Sequence, residues 1–179
     1  MKNLSNLFIV TLMAILFAGC IKEINPGGMT VAIPASEITQ SLQQQFPITQ
    51  KTQYGKVTLA NPKALLQKGS DRITAGATLL FSNSLIPQQK GSVYVSGKPV
   101  FDAKSGAVYL TQPSIEKLNL NGYQLENFLK GANAEMVKPV IDDIFRKVPI
   151  YKLDRGSIQG SFVKNVRVED GNLLVTFGL

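Results

Sequence analysis

The spacing of apolar residues changes along the chain, and each change predicts a different kind of secondary structure. Ahead of Pro47, the residues Ile38, Leu42 and Phe46 recur every four positions, which indicates one face of a short amphipathic helix. From 54 to 120 the apolar period becomes two, and turn residues separate the runs. That alternation is typical of antiparallel strands with one apolar face. This half of the chain therefore predicts a short helix followed by a meander of strands.

A helical period returns in the second half. Apolar residues at helical spacing predict one long helix from Gly122 to Val148, with a kink or break near Pro139 and an end before Pro149. Alternation resumes between 162 and 177, which predicts closing strands. The order of helix, strands, long helix and strands favours an α+β fold, with a curved antiparallel sheet packed on helices.

The first 19 residues have the pattern of an export signal. Lys2 supplies a positive charge, and the apolar run from 7 to 18 is shorter than the roughly 20 residues that span a bilayer. The segment ends in Ala-Gly before Cys20, which is the only cysteine of the chain. This ending resembles the lipobox of bacterial lipoproteins, although Phe17 occupies the position where that family prefers leucine.

The lipobox resemblance implies cleavage before Cys20, a thioether-linked lipid on its sulfur and an acyl chain such as palmitate on its new amino group. Two or more such chains hold a protein firmly on a bilayer. The residue after Cys20 is Ile21 and not aspartate. By analogy with enterobacterial sorting, this favours an anchor in the outer membrane, with the protein facing the periplasm. The alternative is an ordinary signal peptide, or an uncleaved anchor, with an incidental cysteine.

These features divide the chain into three predicted parts. Residues 1–19 form a lipoprotein signal peptide, 20–28 a lipidated tether that contains Pro and Gly, and 29–179 a single α+β domain. Removing the signal takes away Lys2 and no acid, so the formal charge falls from +7 to +6. The remaining chain is long enough to bury a substantial core.

Composition excludes much catalytic chemistry. The chain has no histidine and one cysteine, so it has no Ser-His-Asp triad, no Cys-His pair, no His-ligated metal and no internal disulfide. The adjacent acids Asp142-Asp143 and Glu169-Asp170 are interpreted as solvated surface, and Asp102 as a turn residue. We expect no enzyme activity, no cofactor and no metal site.

The positive charge is dispersed along the chain. Arg146-Lys147 is the only adjacent basic pair, and no cluster of aromatic and basic residues predicts a nucleic-acid surface. Anionic lipid headgroups are better counterparts for such an exported chain. The expected partners are the membrane, reached through Cys20, and a lipid or fatty acid, while no protein partner can be named from the sequence.

The segments Gly97–Asp102 and Gly106–Leu110, together with the lipobox and the early helix, resemble the YceB-like family of bacterial lipoproteins. That resemblance implies the TULIP fold, a BPI-like half-barrel in which a highly curved antiparallel sheet wraps around a long helix. It also implies a lipid or other hydrophobic ligand in an apolar groove between helix and sheet. The candidate groove residues are Leu79, Phe81, Leu125, Phe128, Leu129, Met136, Val140 and Ile144.

The apolar faces by themselves leave two functions open. If the space between helix and sheet is open, it holds an acyl chain or a similar ligand. If side chains fill that space, the protein is a structural or adaptor lipoprotein that recognises another envelope protein. The spacing of residues along the chain cannot distinguish a groove from a close-packed core.

Overall fold

The computed structural model of the protein describes residues 21–53, 55–82, 84, 87–120, 123–124, 132–153 and 162–178. Within these residues the chain is mostly β-structure, arranged as two antiparallel sheets, with two short helices. In chain order the elements are β1 Ile21–Asn25, β2 Gly28–Pro34, α1 Ala35–Gln43, β3 Ile48–Thr52, β4 Gly55–Leu66, β5 Ile73–Ser82, β6 Gln89–Asp102, β7 Ala107–Leu120, β8 Tyr123–Gln124, α2 Ala132–Lys147, β9 Tyr151–Lys152, β10 Phe162–Glu169 and β11 Asn172–Gly178.

The two sheets differ in how far apart their strands lie in the sequence. The larger sheet has the order β3-β4-β5-β6-β7-β8, so neighbours along the chain are also neighbours in space, and β9 pairs with the start of β7. The smaller sheet has the order β1-β2-β11-β10, which joins the first described strands to the last. Across its centre the hydroxyl groups of Thr30 and Thr176 lie 3.0 Å apart, within hydrogen-bond distance.

One apolar cluster takes side chains from both sheets and both helices. On β5, alternate residues such as Ile73 and Ala75 are buried, whereas Thr74 between them is partly exposed. This alternation confirms the predicted strands between 54 and 120, which are β4 to β7. The predicted early helix is confirmed as α1, whose Ile38 and Leu42 are buried, but α1 ends at Gln43 and Phe46 lies beyond it.

The predicted balance of helix and sheet is wrong. Instead of an α+β half-barrel around a long helix, the described residues form a mostly β structure of two sheets, with helices of 9 and 16 residues. α2 begins at Ala132 and not at Gly122, and it continues through Pro139 to Lys147 without the predicted break. The part of the predicted helix at 125–131 lies outside the described residues.

A hairpin signal explains part of this error. Leu120 at the end of β7 pairs with Tyr123 in β8. The dipeptide between them in the sequence is Asn-Gly, which is typical of a two-residue hairpin loop. Helical spacing of apolar residues does not exclude such a reversal, because periodicity indicates which positions are buried and not whether one backbone element is continuous.

The predicted tether is a strand in the structure. Residues Ile21–Asn25 form β1, which pairs with β2 through a turn at 26–27. Lys22 Nζ lies 2.9 Å from Glu169 Oε1, so this strand also contacts the end of β10. Proline and glycine favour tight turns as well as linkers, so composition did not separate the two. The first described strand therefore begins at Ile21.

Candidate functional site

The first candidate site is the apolar interior where α2 packs against the larger sheet. Leu79 and Phe81 on β5 are 0% and 5% exposed, and Val140 and Ile144 on α2 are 8% and 1% exposed. All four belong to one apolar cluster. The structure therefore places candidate groove residues from two distant segments of the chain in the same core cluster, and their side chains are almost completely buried.

The other predicted site residues cannot be placed in this interior. Leu125, Phe128 and Leu129 lie outside the described residues, and so does Cys20. The side chain of Met136 also lies outside the description. The assignment of these four apolar residues to a groove, and the lipidation of Cys20, stay predictions.

α2 presents one apolar face and one charged end. Ile141, Ile144 and Phe145 are buried at helical spacing, whereas Arg146 and Lys147 are exposed. Cations suit the last turn because the unpaired carbonyl groups there leave it partly negative. The apolar face closes the interior, so a ligand that reaches this space has to separate α2 from the sheet.

The adjacent acids on α2 have different surroundings, although the sequence predicts solvated surface for both. Asp143 accepts hydrogen bonds from Lys147 Nζ at 2.8 Å and from Gln50 Nε2 at 3.3 Å. These contacts, led by the one with Lys147, hold the pKa of Asp143 below its usual range. Asp142 Oδ1 is buried, and no partner among the described residues donates to it. A buried carboxylate oxygen without a donor is destabilising.

Asp142→Ala is expected to raise the free energy of unfolding by about 0.5–1 kcal/mol, because it removes the unpartnered oxygen and adds helix propensity. Asp143→Ala is the matched control, since it adds the same propensity but loses the bonds from Lys147 and Gln50. Urea unfolding of both variants measures the difference. A destabilised Asp142→Ala protein would show that this carboxylate does have a stabilising contact.

A second candidate is a polar cluster of Arg72, Ser96 and Glu116, which was not predicted from the sequence. Arg72 Nε donates to Ser96 Oγ at 2.8 Å, and the Ser96 hydroxyl donates to Glu116 Oε1. Arg72 Nη2 also donates to the carbonyl oxygens of Ser96, at 3.0 Å, and Gln112, at 2.8 Å. Gln112 has a φ of +48°, and the β6–β7 pairing shifts register on both sides of Ser96.

Ser96 and Glu116 have the residue types of a nucleophile and a base, but a substrate cannot reach the Ser96 hydroxyl. Ser96 is 3% exposed, and its hydroxyl both accepts a hydrogen bond from Arg72 and donates one to Glu116. A catalytic serine has to reach a substrate atom, which is blocked here unless the sheet opens. Arg72 instead donates to the carbonyl oxygens of Ser96 and Gln112, beside the register shifts between β6 and β7. The cluster therefore acts as a structural clamp on three strands.

Arg72→Ala is expected to lower the free energy of unfolding by about 1–3 kcal/mol, because the hydroxyl and carbonyl oxygens of the buried Ser96 both lose their donor. The matched control is Lys98→Ala. Lys98 is a nearby cation whose ion pair with Asp71, at 2.7 Å, is exposed to solvent and contributes little. Thermal unfolding of the two variants is the measurement, and similar losses in both would contradict the role of Arg72 as a clamp.

The two segments that carry the family resemblance form the ends of β6 and β7 next to their connecting turn. Asp102 accepts hydrogen bonds from Ser105 Oγ at 2.7 Å and from the Lys104 amide at 3.1 Å. These bonds, led by the one from Ser105, hold the pKa of Asp102 below its usual range. Gly106 adopts a φ of +68°, where glycine is favoured. The predicted turn role of Asp102 is confirmed, and these residues serve the hairpin itself.

A third candidate is a surface hollow of about 540 Å³ between the end of α1 and the bulge in β4. Phe46, Pro47, Ala60 and Pro62 form its apolar part, and Lys63 is the charged residue that lines it. A single flexible cation at the rim does not fix the orientation of a ligand. The hollow therefore indicates no particular chemistry.

The described part of the chain also bears on metal binding and on membrane crossing. Within those ranges, no group of three or more His, Cys, Asp or Glu side chains lies close enough together to hold a metal ion. Among the same residues, no helix combines the length and the apolar character needed to cross a membrane.

Comparison with known proteins identifies a family. A protein-family model matches residues 33–171, which is most of the chain. The matched region extends from β2 to the turn between β10 and β11, so it contains both helices and the whole larger sheet. No curated protein matches the chain. The chain therefore belongs to the family described as "Protein of unknown function (DUF1439)".

Proposed function

We propose that this chain is a YceB-like lipoprotein, anchored through Cys20 to the outer membrane and facing the periplasm, that binds a lipid or other hydrophobic ligand without catalysing a reaction. The observation that carries the ligand-binding proposal is the meeting of Leu79, Phe81, Val140 and Ile144 in one apolar cluster. The lipobox-like sequence that ends at Cys20 supports the anchor.

The ligand would lie between α2 and the inner face of the larger sheet. Both surfaces are apolar, and burying a hydrocarbon chain between them contributes about 25 cal/mol per Å², or about 0.8 kcal/mol per methylene group. Because Val140 and Ile144 already contact the core, the ligand has to separate them from the sheet. Affinity is therefore expected to rise with acyl-chain length and to be limited by the cost of moving α2.

The anchor and the charge of the domain would assist this binding. A tether to the bilayer raises the effective concentration of lipid around the domain without any new contact. The formal charge of +6 that remains after removal of residues 1–19 favours anionic headgroups, with each nearby cation contributing up to about 1 kcal/mol.

The burial of the same residues favours a second function. Leu79 is 0% exposed and Ile144 is 1% exposed, as in an interior filled by its own side chains. A filled interior is sufficient for a structural or adaptor lipoprotein, which would bind another envelope protein through its surface. In that case the interior would accept no lipid.

Native mass spectrometry of a domain that begins at Ile21, purified without detergent, tests the ligand proposal. The described fold begins at this residue, and omission of Cys20 keeps covalent lipid out of the sample. We expect adducts in the mass range of fatty acids or phospholipids. Solvent extraction should remove them, and added fatty acid should restore them.

Val140→Phe and Val100→Phe are a matched pair for locating the ligand. Val140 lies where α2 meets the sheet and is 8% exposed, whereas Val100 on β6 is 41% exposed. We expect only Val140→Phe to lower the fraction of protein that carries an adduct, with circular dichroism showing that both variants are folded. A wild-type domain that takes up nothing from a broad lipid panel would favour the adaptor, and cross-linking in cells would then identify its partner.

A further inference from the structure

β1 is an edge strand with an uncommon placement of its apolar side chains. Ile21 lies opposite Val31 on β2. Ile24 lies opposite Met29, and the pairing shifts register between the two isoleucines. Residues directly opposite each other in an antiparallel pair project from the same face. The bulge therefore places Ile21 and Ile24 on one face, although a spacing of three would put them on opposite faces of a regular strand.

That face is the inner, apolar face of the smaller sheet. Met29 and Val31, which lie opposite the two isoleucines, pack against the core cluster. Ile21 and Ile24 continue the same face beyond the core, where they are 41% and 70% exposed. Among the described residues, the only other large apolar residue that is at least 41% exposed is Val100. β1 thus extends an apolar surface into solvent.

β1 pairs with β2 and begins at the residue that follows Cys20 in the sequence. Lys22 Nζ lies 2.9 Å from Glu169 Oε1 and 3.2 Å from Asp170 Oδ2. Cys20 directly precedes Ile21 in the sequence, so no further residue separates a lipid on Cys20 from the described strand. A lipid on Cys20 would therefore bring the domain itself, and not a flexible spacer, to the bilayer.

The dimensions of β1 match those of a membrane interface. Ile21 and Ile24 are separated by about 10 Å along the strand, and apolar faces insert about 5–10 Å into the boundary between headgroups and acyl chains, so both side chains can reach this layer. The charges of β1 do not oppose this contact. Lys22 is paired with acids, and Glu23 lies opposite Thr30 and so projects from the other face of the sheet.

We infer that Ile21 and Ile24 form a membrane-contacting surface that seats the domain on the bilayer beside its anchor. This orientation rests on the lipidation of Cys20 proposed above. The occupant of the surface is lipid, because an anchor one residue away from β1 keeps the apolar patch at the bilayer continuously. The smaller sheet then meets the membrane along its β1 edge.

Site-specific labelling of the full-length, lipidated protein in vesicles tests this orientation. Lipidation consumes the thiol of Cys20, so Ile24→Cys adds the single free thiol, and Val100→Cys is the matched control on another surface. Each variant carries an environment-sensitive fluorophore in vesicles of phosphatidylethanolamine and phosphatidylglycerol. At position 24 we expect a blue-shifted emission, quenching by spin-labelled lipid and loss of quenching by aqueous iodide, with none of these effects at position 100.

The outcomes separate the orientation from the anchor. Mass spectrometry of the same samples reports the lipid on Cys20, and protein without that lipid would overturn both. Lipidated protein whose label at position 24 is quenched by iodide as strongly as the label at position 100 would overturn the orientation alone. Shielding that occurs only at high protein density in the vesicles would also overturn it, because a second copy of the chain would then cover the patch.

Discussion

Gly28→Ala is expected to lower the free energy of unfolding by more than about 2 kcal/mol. Gly28 opens β2 with a φ of +152°, which side chains rarely permit. A Cβ at this position would overlap the carbonyl oxygen of Phe177 on β11. That oxygen is part of the backbone, so it cannot move aside without disturbing the pairing of β2 with β11. Urea unfolding of the purified domain measures the loss.

Gly27→Ala is the matched control for this substitution. Gly27 is the neighbouring residue in the turn between β1 and β2, and a Cβ there would meet no atom within 4 Å. Both changes restrict the unfolded chain to the same extent, so the difference between them isolates the clash in the folded state. Equal losses of unfolding free energy in Gly28→Ala and Gly27→Ala would contradict the close packing of the β1–β2 hairpin against β11.

Ile144→Ala is expected to lower the free energy of unfolding by about 2–5 kcal/mol. Ile144 is 1% exposed and belongs to the cluster between α2 and the larger sheet, so the truncated side chain leaves a cavity. Ile24→Ala makes the same chemical change at a position that is 70% exposed. In the domain without membrane this control is expected to stay within about 0.5 kcal/mol of the wild type.

The size of that loss also bears on the ligand proposal. If side chains fill the interior, Ile144→Ala should lose the predicted unfolding free energy of about 2–5 kcal/mol. A loss below about 2 kcal/mol would indicate that the space around Ile144 is already open, as an apolar binding site requires. Unfolding repeated with added fatty acid extends the measurement. A ligand that binds only the native protein raises the free energy of unfolding, and it would do so for the wild type and for Ile144→Ala.

The parts of the fold that depend on local pattern could be predicted from the sequence. Alternation along β5 assigned Leu79 and Phe81 to a buried face, and the spacing of Ile38 and Leu42 predicted α1. The long helix could not be predicted correctly, because apolar residues at helical spacing do not require one continuous helix. The Asn-Gly dipeptide after Leu120 was the local signal for the reversal into β8.

Site features that depend on strand register could not be read from the sequence. Arg72, Ser96 and Glu116 meet only after β5, β6 and β7 have paired with their bulges in place. Ile24 was interpreted as part of a tether, and the bulge in β1 decides which face its side chain occupies. A shift of one residue reverses the face of every side chain, so such features require knowledge of the partner strand.

The smaller sheet also has a consequence for the order in which the chain folds. The contact between Lys22 and Glu169 closes a separation of 147 residues, and the one between Thr30 and Thr176 closes 146. β11 lies between β2 and β10, so the β1–β2 hairpin has no neighbour in its sheet until β11 has been synthesised. Pairings this distant form slowly, because the entropy of closing a long loop opposes them before any contact is gained. If the chain is exported as proposed, slow closure of the smaller sheet would leave time for the unfolded chain to pass through a translocation channel before the two sheets pack together.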